Sequence, residues 1–268
     1  MAGNNKIGGF EDQSQSYMVS VSDLMAGLLF LFIITIMVFA LSLKEAEQKK
    51  DQEVKALRAN KEARNEMLTE LEQSLQDAGI EVVIDLQQGI LRLPEEVLFA
   101  SGQAKLDKKG KKNIKMLAIA LATVLPCYVH NQMDSPHCKE NNLNRYKAKI
   151  DAVFIEGHTD DVRISRKNKK FDDNWELSTS RSIETFKQLK HYGEGLVSEY
   201  SGLVELANSQ EKAIFSVSGY ADQRPVVDNV DKTTRSRNRR IDLRFIMEPP
   251  ETEPEPEPIE KTREHLKP

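Results

Sequence analysis

The sequence predicts an α+β protein built in series: a single N-terminal transmembrane helix, a helical stalk, then a two-layer α/β sandwich. Three observations carry that expectation. Leu24 to Leu43 is a run of 20 residues without a charge, 17 of them apolar. Residues 44–78 hold seven basic and nine acidic side chains with neither proline nor glycine, until Gly79 ends the run. Beyond Gly79, segments of helical periodicity alternate with short strand-like ones, the pattern of a layered α/β domain. The expected boundaries are a short N-terminus at 1–16, the transmembrane helix at 17–43, the stalk at 44–78, the sandwich at 79–247 and a tail at 248–268.

Twenty helical residues span about 30 Å, the thickness of a bilayer's hydrocarbon core. A cleaved signal peptide is the competing reading, and Ala40-Leu41-Ser42 is a tolerable cleavage pattern. Against it stand the length of the apolar run and a leader that sets Lys6 against Glu11 and Asp12 instead of a basic cluster. Basic residues do not orient the span, because Lys44, Lys49 and Lys50 outnumber Lys6.

Asp23 is the informative residue of this segment. With a helix beginning near Tyr17, its carboxylate lies about 9 Å inside the span. An ionised carboxylate at mid-bilayer costs about 2.5–3.5 kcal/mol, less near the edge, so such a residue normally faces a partner helix or an ion route. The alternative is an aspartate that reaches the headgroups or caps a helix starting at Leu24.

In the stalk, Val54, Leu57, Leu68, Leu71, Leu75 and Ala78 fit a heptad, with Lys61 and Arg64 at its middle a and d positions. That pattern suits a parallel dimeric coiled coil with a weak centre, or a solvated single helix. In the sandwich, the expected strands are Ile80–Leu86, Ile90–Leu93, Ala152–Glu156, Ile214–Ser218 and Ile241–Ile246. The expected helices are Asp107–Leu125, ended by Pro126, and Trp175–Tyr192. The last 21 residues carry six of the ten prolines and seven acids, a composition expected to be extended and disordered.

The net charge of −4 divides unevenly: residues 79–247 sum to +4 and residues 248–268 to −4. A sandwich at +4 beside an acidic tail is not a nucleic-acid binder by charge, although it suits a weakly held anionic polymer. Two cysteines, Cys127 and Cys138, exclude a disulfide-rich scaffold and allow one bridge in an oxidising compartment. No nucleophile triad, phosphate loop or paired-carboxylate hydrolase site is legible, so no enzyme and no cofactor is expected.

Four stretches of the sandwich carry a family resemblance. They are Val97-Leu-Phe-Ala-Ser-Gly-Gln-Ala-Lys-Leu106, Ile155-Glu-Gly-His-Thr-Asp160, Asn174-Trp-Glu-Leu-Ser-Thr-Ser-Arg-Ser182, and Gly219-Tyr220 followed by Pro225 and Arg237-Asn-Arg-Arg-Ile241. In that order they resemble the OmpA-like peptidoglycan-binding domain. The segment Tyr17 to Phe30, with its lone aspartate before an apolar run, resembles the membrane segment of ion-driven stator B subunits of the MotB type. The resemblance implies that Asp160 takes the ammonium and Arg181 the carboxylate of a peptidoglycan stem peptide, with Asn174, Leu177 and Arg240 completing the pocket wall. Charge-assisted, bidentate contacts of this kind suit a zwitterion. His158 is given a packing role.

It further implies Asp23 as ion carrier, with Ser20 and Ser22 as candidate path liners. The N-terminus would be cytoplasmic and residues 44–268 periplasmic, in the inner membrane. The expected partners are a second copy of the chain, five copies of a MotA-like multi-span protein, and peptidoglycan, with no direct nucleic acid. In a periplasm, a Cys127–Cys138 disulfide is favoured over zinc, because His137 and Cys138 are adjacent and His130 and His137 lack a finger spacing. Two features depart from the family. Val162–Asp173 is an insertion bearing Arg163, Arg166, Lys167, Lys169 and Lys170, and Pro126–Ile150 is another. With the short neutral leader and the acidic tail, they favour a Zorya-like anti-phage motor over a flagellar stator. A passive, non-conducting wall anchor is the third reading.

Overall fold

The computed structural model describes residues 11–130, 133, 135–164, 170–197 and 202–250, with side chains from residue 21 onward. The basic residues Arg166, Lys167 and Lys169 and the tail from residue 251 lie outside the described residues, as does the side chain of Ser20. Two compact units divide the chain, one ending at Lys55 and the other beginning at Ala56.

Helix α1, Glu11–Asp77, begins six residues ahead of the expected Tyr17 and passes from the first unit into the second. In the first unit the apolar run is exposed on every side: Leu24 is 72% exposed, Phe32 61% and Leu43 54%. A helix apolar all round requires apolar surroundings, and this one is long and apolar enough to cross a membrane. Its few hydroxyls are satisfied internally, Thr35 Oγ1 donating to Leu31 O at 2.8 Å and Ser42 Oγ to Phe39 O at 2.8 Å. That is the requirement for polar groups in lipid.

The second unit is the sandwich. Strands β1 (Val83–Asp85), β2 (Ile90–Pro94), β3 (Ile150–His158), β4 (Phe215–Gly219) and β5 (Arg240–Met247) form one sheet in the order β1-β2-β5-β3-β4. β3 and β4 are parallel and the other pairs antiparallel. The long helices α3 (Lys108–Val124) and α5 (Asn174–Gly193) supply the second layer, with short helices α2 (Glu95–Leu98), α4 (Pro136–Glu140) and α6 (Lys232–Asn238) between elements. α3 starts where Asp107 accepts from Gly110 N at 2.7 Å, and α5 where Asp173 accepts from Glu176 N at 2.9 Å. Both aspartates satisfy helix-terminal donors that lack an intrahelical partner.

Alternation along the strands sorts the side chains. Val153 and Ile155 of β3, Leu91 and Leu93 of β2, and Ile241, Leu243 and Phe245 of β5 join the apolar core with Ile114, Leu117 and Leu121 of α3. The C-terminal stretch of α1 belongs to this core too. Ala63, Met67, Leu68, Leu71 and Leu75 are fully buried in it, so three of the heptad positions are covered by the chain's own sandwich. Arg64, at a central heptad position, instead donates to Leu86 O at 3.1 Å and Gln87 O at 3.2 Å, pinning the β1–β2 turn. Val54 and Leu57 remain about half exposed.

Within the Pro126–Ile150 insertion, Cys127 and Cys138 are joined in a disulfide with their Cα atoms 5.5 Å apart. Both sulfurs are therefore committed, and zinc has no thiolate there. Asn144 braces the same loop from inside, donating to Cys127 O at 2.7 Å and Ala148 O at 2.8 Å.

Candidate functional site

The site grows from the end of β3. Gly157 and its register partner Gly219 on β4 let α5 approach the sheet more closely than any side chain would allow. A Cβ on Gly157 would lie 2.1 Å from Ser178 O, and one on Gly219 2.2 Å from Thr179 Oγ1. Ser182 Oγ locks the contact by donating to Ser218 O at 2.6 Å. This close seat brings Arg181 of α5 toward the loop that follows β3.

In that loop Asp160 is held at both carboxylate oxygens. Oδ1 accepts from Val162 N at 3.1 Å, and Oδ2 accepts from Arg239 Nη1 at 2.7 Å. Asn174 braces the loop by donating Nδ2 to Asp160 O and Val162 O, each at 3.1 Å. Leu177 is buried one turn further along α5.

Arg181 does not pair with Asp160 directly. Its side chain is 2% exposed, donating Nη2 to Glu95 Oε1 and Nε to Gln103 O at 2.9 Å, with its guanidinium 5.5 Å from the centre of the Phe99 ring. Arg239 closes the chain, its Nε donating to Glu95 Oε2. The result is a relay Asp160–Arg239–Glu95–Arg181 of two carboxylates and two guanidiniums, balanced in charge. Burial lowers the pKa of Arg181 against the opposing pull of Glu95. Burial also works against the charge of Arg239, but Asp160 and Glu95 outweigh it and raise its pKa.

Sequence reasoning passed over Glu95 and Arg239, the two residues that connect the expected pair. Arg239 stood inside the quoted closing motif, beside Arg240. Adjacent residues entering a strand face opposite sides, and Arg240 turns away, donating Nε to Asp242 Oδ2 at 3.0 Å, Nη1 to Asn238 O at 3.1 Å and Nη2 to Arg224 O at 3.0 Å. The candidate site thus gathers Asp160, Arg181 and Asn174 with Arg239 and Glu95, while Arg240 belongs to the opposite face of the sheet. Of the cluster's cations, Arg239 is the accessible one, its side chain 26% exposed against 2% for Arg181. Lys170, from the end of the Val162–Asp173 insertion, donates to Gln103 Oε1 at 3.0 Å, which ties that insertion to the loop Arg181 grips.

The membrane-side candidates lie in the other unit. Asp23 and Ser22 are exposed on α1, Asp23 directly preceding the apolar run.

No protein-family model matches the chain. It is 25% identical over 241 residues to the Zorya protein ZorB of Escherichia coli, covering 88% of this chain and 90% of that one. It is 23% identical over 266 residues to the uncharacterized protein YtxE of Bacillus subtilis, covering 89% and 91%. Motility protein B of Bacillus subtilis is 30% identical over 94 residues, which is 35% of this chain and 30% of that one. Among solved structures, a MotB-like protein from Desulfovibrio vulgaris aligns with a TM-score of 0.47 at 25% identity, over 74% of this chain and 99% of that one. The chain is thus similar to ZorB along nearly its whole length and to Motility protein B over 94 residues, and it sets one apolar helix ahead of a mixed five-stranded sheet.

Proposed function

We propose that the chain is the B subunit of an ion-driven inner-membrane motor of the Zorya type, gripping peptidoglycan with its sandwich and carrying ions at Asp23. The observation that carries this reading is the match to ZorB along nearly the whole of both chains, in a chain whose apolar helix opens on one carboxylate. In this arrangement two copies of the chain stand inside a ring of five multi-span partners. The N-terminus is cytoplasmic and the sandwich periplasmic, where the Cys127–Cys138 disulfide meets an oxidising environment.

The mechanism follows from charge. An ionised Asp23 in a lipid-facing or protein-lined span is costly, and a bound proton or cation removes that cost. Loading and release of the carboxylate therefore alternate with its surroundings, and the ring of partners turns that alternation into rotation. At the wall end, a stem-peptide carboxylate pairs with the accessible Arg239, and the matching ammonium with Asp160, in a site whose back is held by Glu95 and Arg181. The chain itself performs no covalent chemistry.

The test is co-reconstitution with the multi-span partner in proteoliposomes, reading ion flux, together with phage plating on cells that carry the operon. Asp23→Asn is expected to abolish flux and protection while the complex still assembles. Normal flux in that variant would overturn the ion-carrier role, and flux with no protection against any phage would return the chain to a flagellar stator role, the second reading that the 94-residue match to Motility protein B supports.

A further inference from the structure

The face of the sheet turned away from the apolar core holds a cavity that the Asp160 cluster does not use. β2, β5 and β3 present Arg92, then Arg240, Asp242 and Arg244, then Glu156 and His158 on this side, and the segment after β4 covers them. Tyr220 stacks on His158 with ring centres 5.4 Å apart, and the Arg224 guanidinium lies 3.8 Å above the Tyr220 ring. Between cover and sheet is a cavity of about 320 Å³ that Arg92, Arg224, Arg240, Arg244, His158 and Asp242 line. Glu95, Asp160, Arg181 and Arg239 take no part in it.

The pairing on this face leaves positive charge over. Arg240 holds Asp242, Arg244 holds Glu156 through two bonds of 2.9 Å, and Arg92 Nη2 donates to Asp85 at 3.0 Å. Three carboxylates are thereby matched by three arginines. Arg224 is the fourth, and among the described residues its guanidinium has no partner except the tyrosine ring. The unmet hydrogen-bonding groups have a direction as well. Arg92 Nε is buried without an acceptor, 3.6 Å from Asp242 Oδ2, and both ring nitrogens of the 1%-exposed His158 lack a hydrogen bond. Nε2 of that histidine is 3.6 Å from Asp242 and 3.8 Å from Glu156, too far for one. An arginine Nε can only donate, so this cavity is short of acceptors and of negative charge.

Glu156, His158 and Asp242 lie close enough together to suggest a metal ion. Both carboxylates are already engaged by arginines and the surplus charge is positive, which opposes a cation. We propose that the cavity binds an oxyanion group, a carboxylate or a phosphate, with Arg224 and Arg92 Nε as its donors and His158 behind them. Charge-assisted bonds from arginine to such groups are the strong kind. This site is independent of the wall-binding reading, because it shares no residue with the Asp160 cluster.

The test is isothermal titration of the full chain in a neutral maltoside detergent, at constant ionic strength balanced with chloride. Inorganic phosphate and succinate serve as separate probes, so the two sources are told apart. Saturable binding of either probe is expected, weakened tenfold or more by Arg224→Gln and unchanged by Lys112→Gln, an equal loss of charge at an exposed position of α3 outside the cavity. Binding of phosphate alone assigns a phosphate-bearing ligand, and of succinate alone a carboxylate. No saturable binding of either probe, binding unaffected by Arg224→Gln, or binding lost in Lys112→Gln would each overturn the proposal.

Discussion

Arg239 reaches Asp160 at 2.7 Å with one guanidinium nitrogen and Glu95 with another, so it connects the two acids of the cluster while Arg181 stays behind Glu95. The two arginines therefore carry separable duties. Arg181→Met removes a buried partner of Glu95 and is expected to cost about 3 kcal/mol of folding stability. Arg239→Gln loses charge-assisted bonds at a partly exposed position, costing about 1.5–3 kcal/mol, and leaves a folded protein that no longer sediments with isolated peptidoglycan sacculi. Urea titration and co-sedimentation read the two effects apart. Normal sedimentation of Arg239→Gln would return the carboxylate-binding role to Arg181.

Gly157 marks a tolerance of near zero. The nearest neighbours of an added Cβ are a backbone oxygen at 2.1 Å and the Ser182 hydroxyl at 2.6 Å, and backbone cannot rotate aside as a side chain can. Gly157→Ala is expected to push α5 off the sheet at a cost of about 1–3 kcal/mol. It should also loosen Arg181, read as a lower melting temperature together with weaker sacculus binding. Gly102→Ala, where no heavy atom lies within 4 Å of the added Cβ but φ is +67°, separates simple backbone strain from this steric effect, since it should leave binding intact.

Acid sensitivity follows from the far face of the sheet. Burial alone would push the Glu156 carboxyl up, but His158 and the paired Arg244 outweigh it and hold the group at about 2, against an ordinary 4.5. A carboxyl lowered in the folded state contributes stability above its unfolded pKa and loses it as pH falls toward the folded value. That loss, between about pH 4.5 and 2, is on the order of 3 kcal/mol. Burial also lowers the pKa of His158, so the unfolded imidazole takes up a proton before the folded one and erosion begins below about pH 6.5. Urea midpoints measured from pH 7 to 3 should fall throughout, and Glu156→Gln should flatten the acid end. An unchanged acid slope in that variant would contradict the assignment.

Much of this architecture was legible because periodicity reports burial. Ile114, Leu117 and Leu121 announced α3, and alternation announced β2 and β5, within a residue or two of the observed ends. Helices α2, α4 and α6, of four, five and seven residues, are too short to show a period. Asp160, Arg181, Asn174 and Leu177 came from motif resemblance, and the first three gather at one end of the sheet. Glu95 could not have come that way: nothing local says whether Glu95 or Glu96 turns inward, and the choice is made by Arg181, 86 residues away. Adjacent arginines at 239 and 240 posed the same problem, since only the strand's phase decides which faces the cluster.

The heptad of the stalk shows the limit of periodicity from another side, and it can be tested. A repeat of apolar residues says that one face of a helix is covered, but not by what. Leu68, Leu71 and Leu75 satisfy a coiled-coil pattern and are fully buried against this chain's own sandwich. Leu71→Ala is therefore expected to cost about 2–5 kcal/mol through the cavity it leaves, with a melting temperature that does not change on dilution. Were these leucines the seam of a dimer, the loss would instead grow as protein concentration falls. Leu57→Ala, at a half-exposed heptad position, is the companion variant, expected to cost well under 1 kcal/mol in the sandwich. Any effect of that variant on self-association, read by sedimentation velocity, would place a second copy along the earlier turns of α1, where Val54 and Leu57 leave apolar surface open.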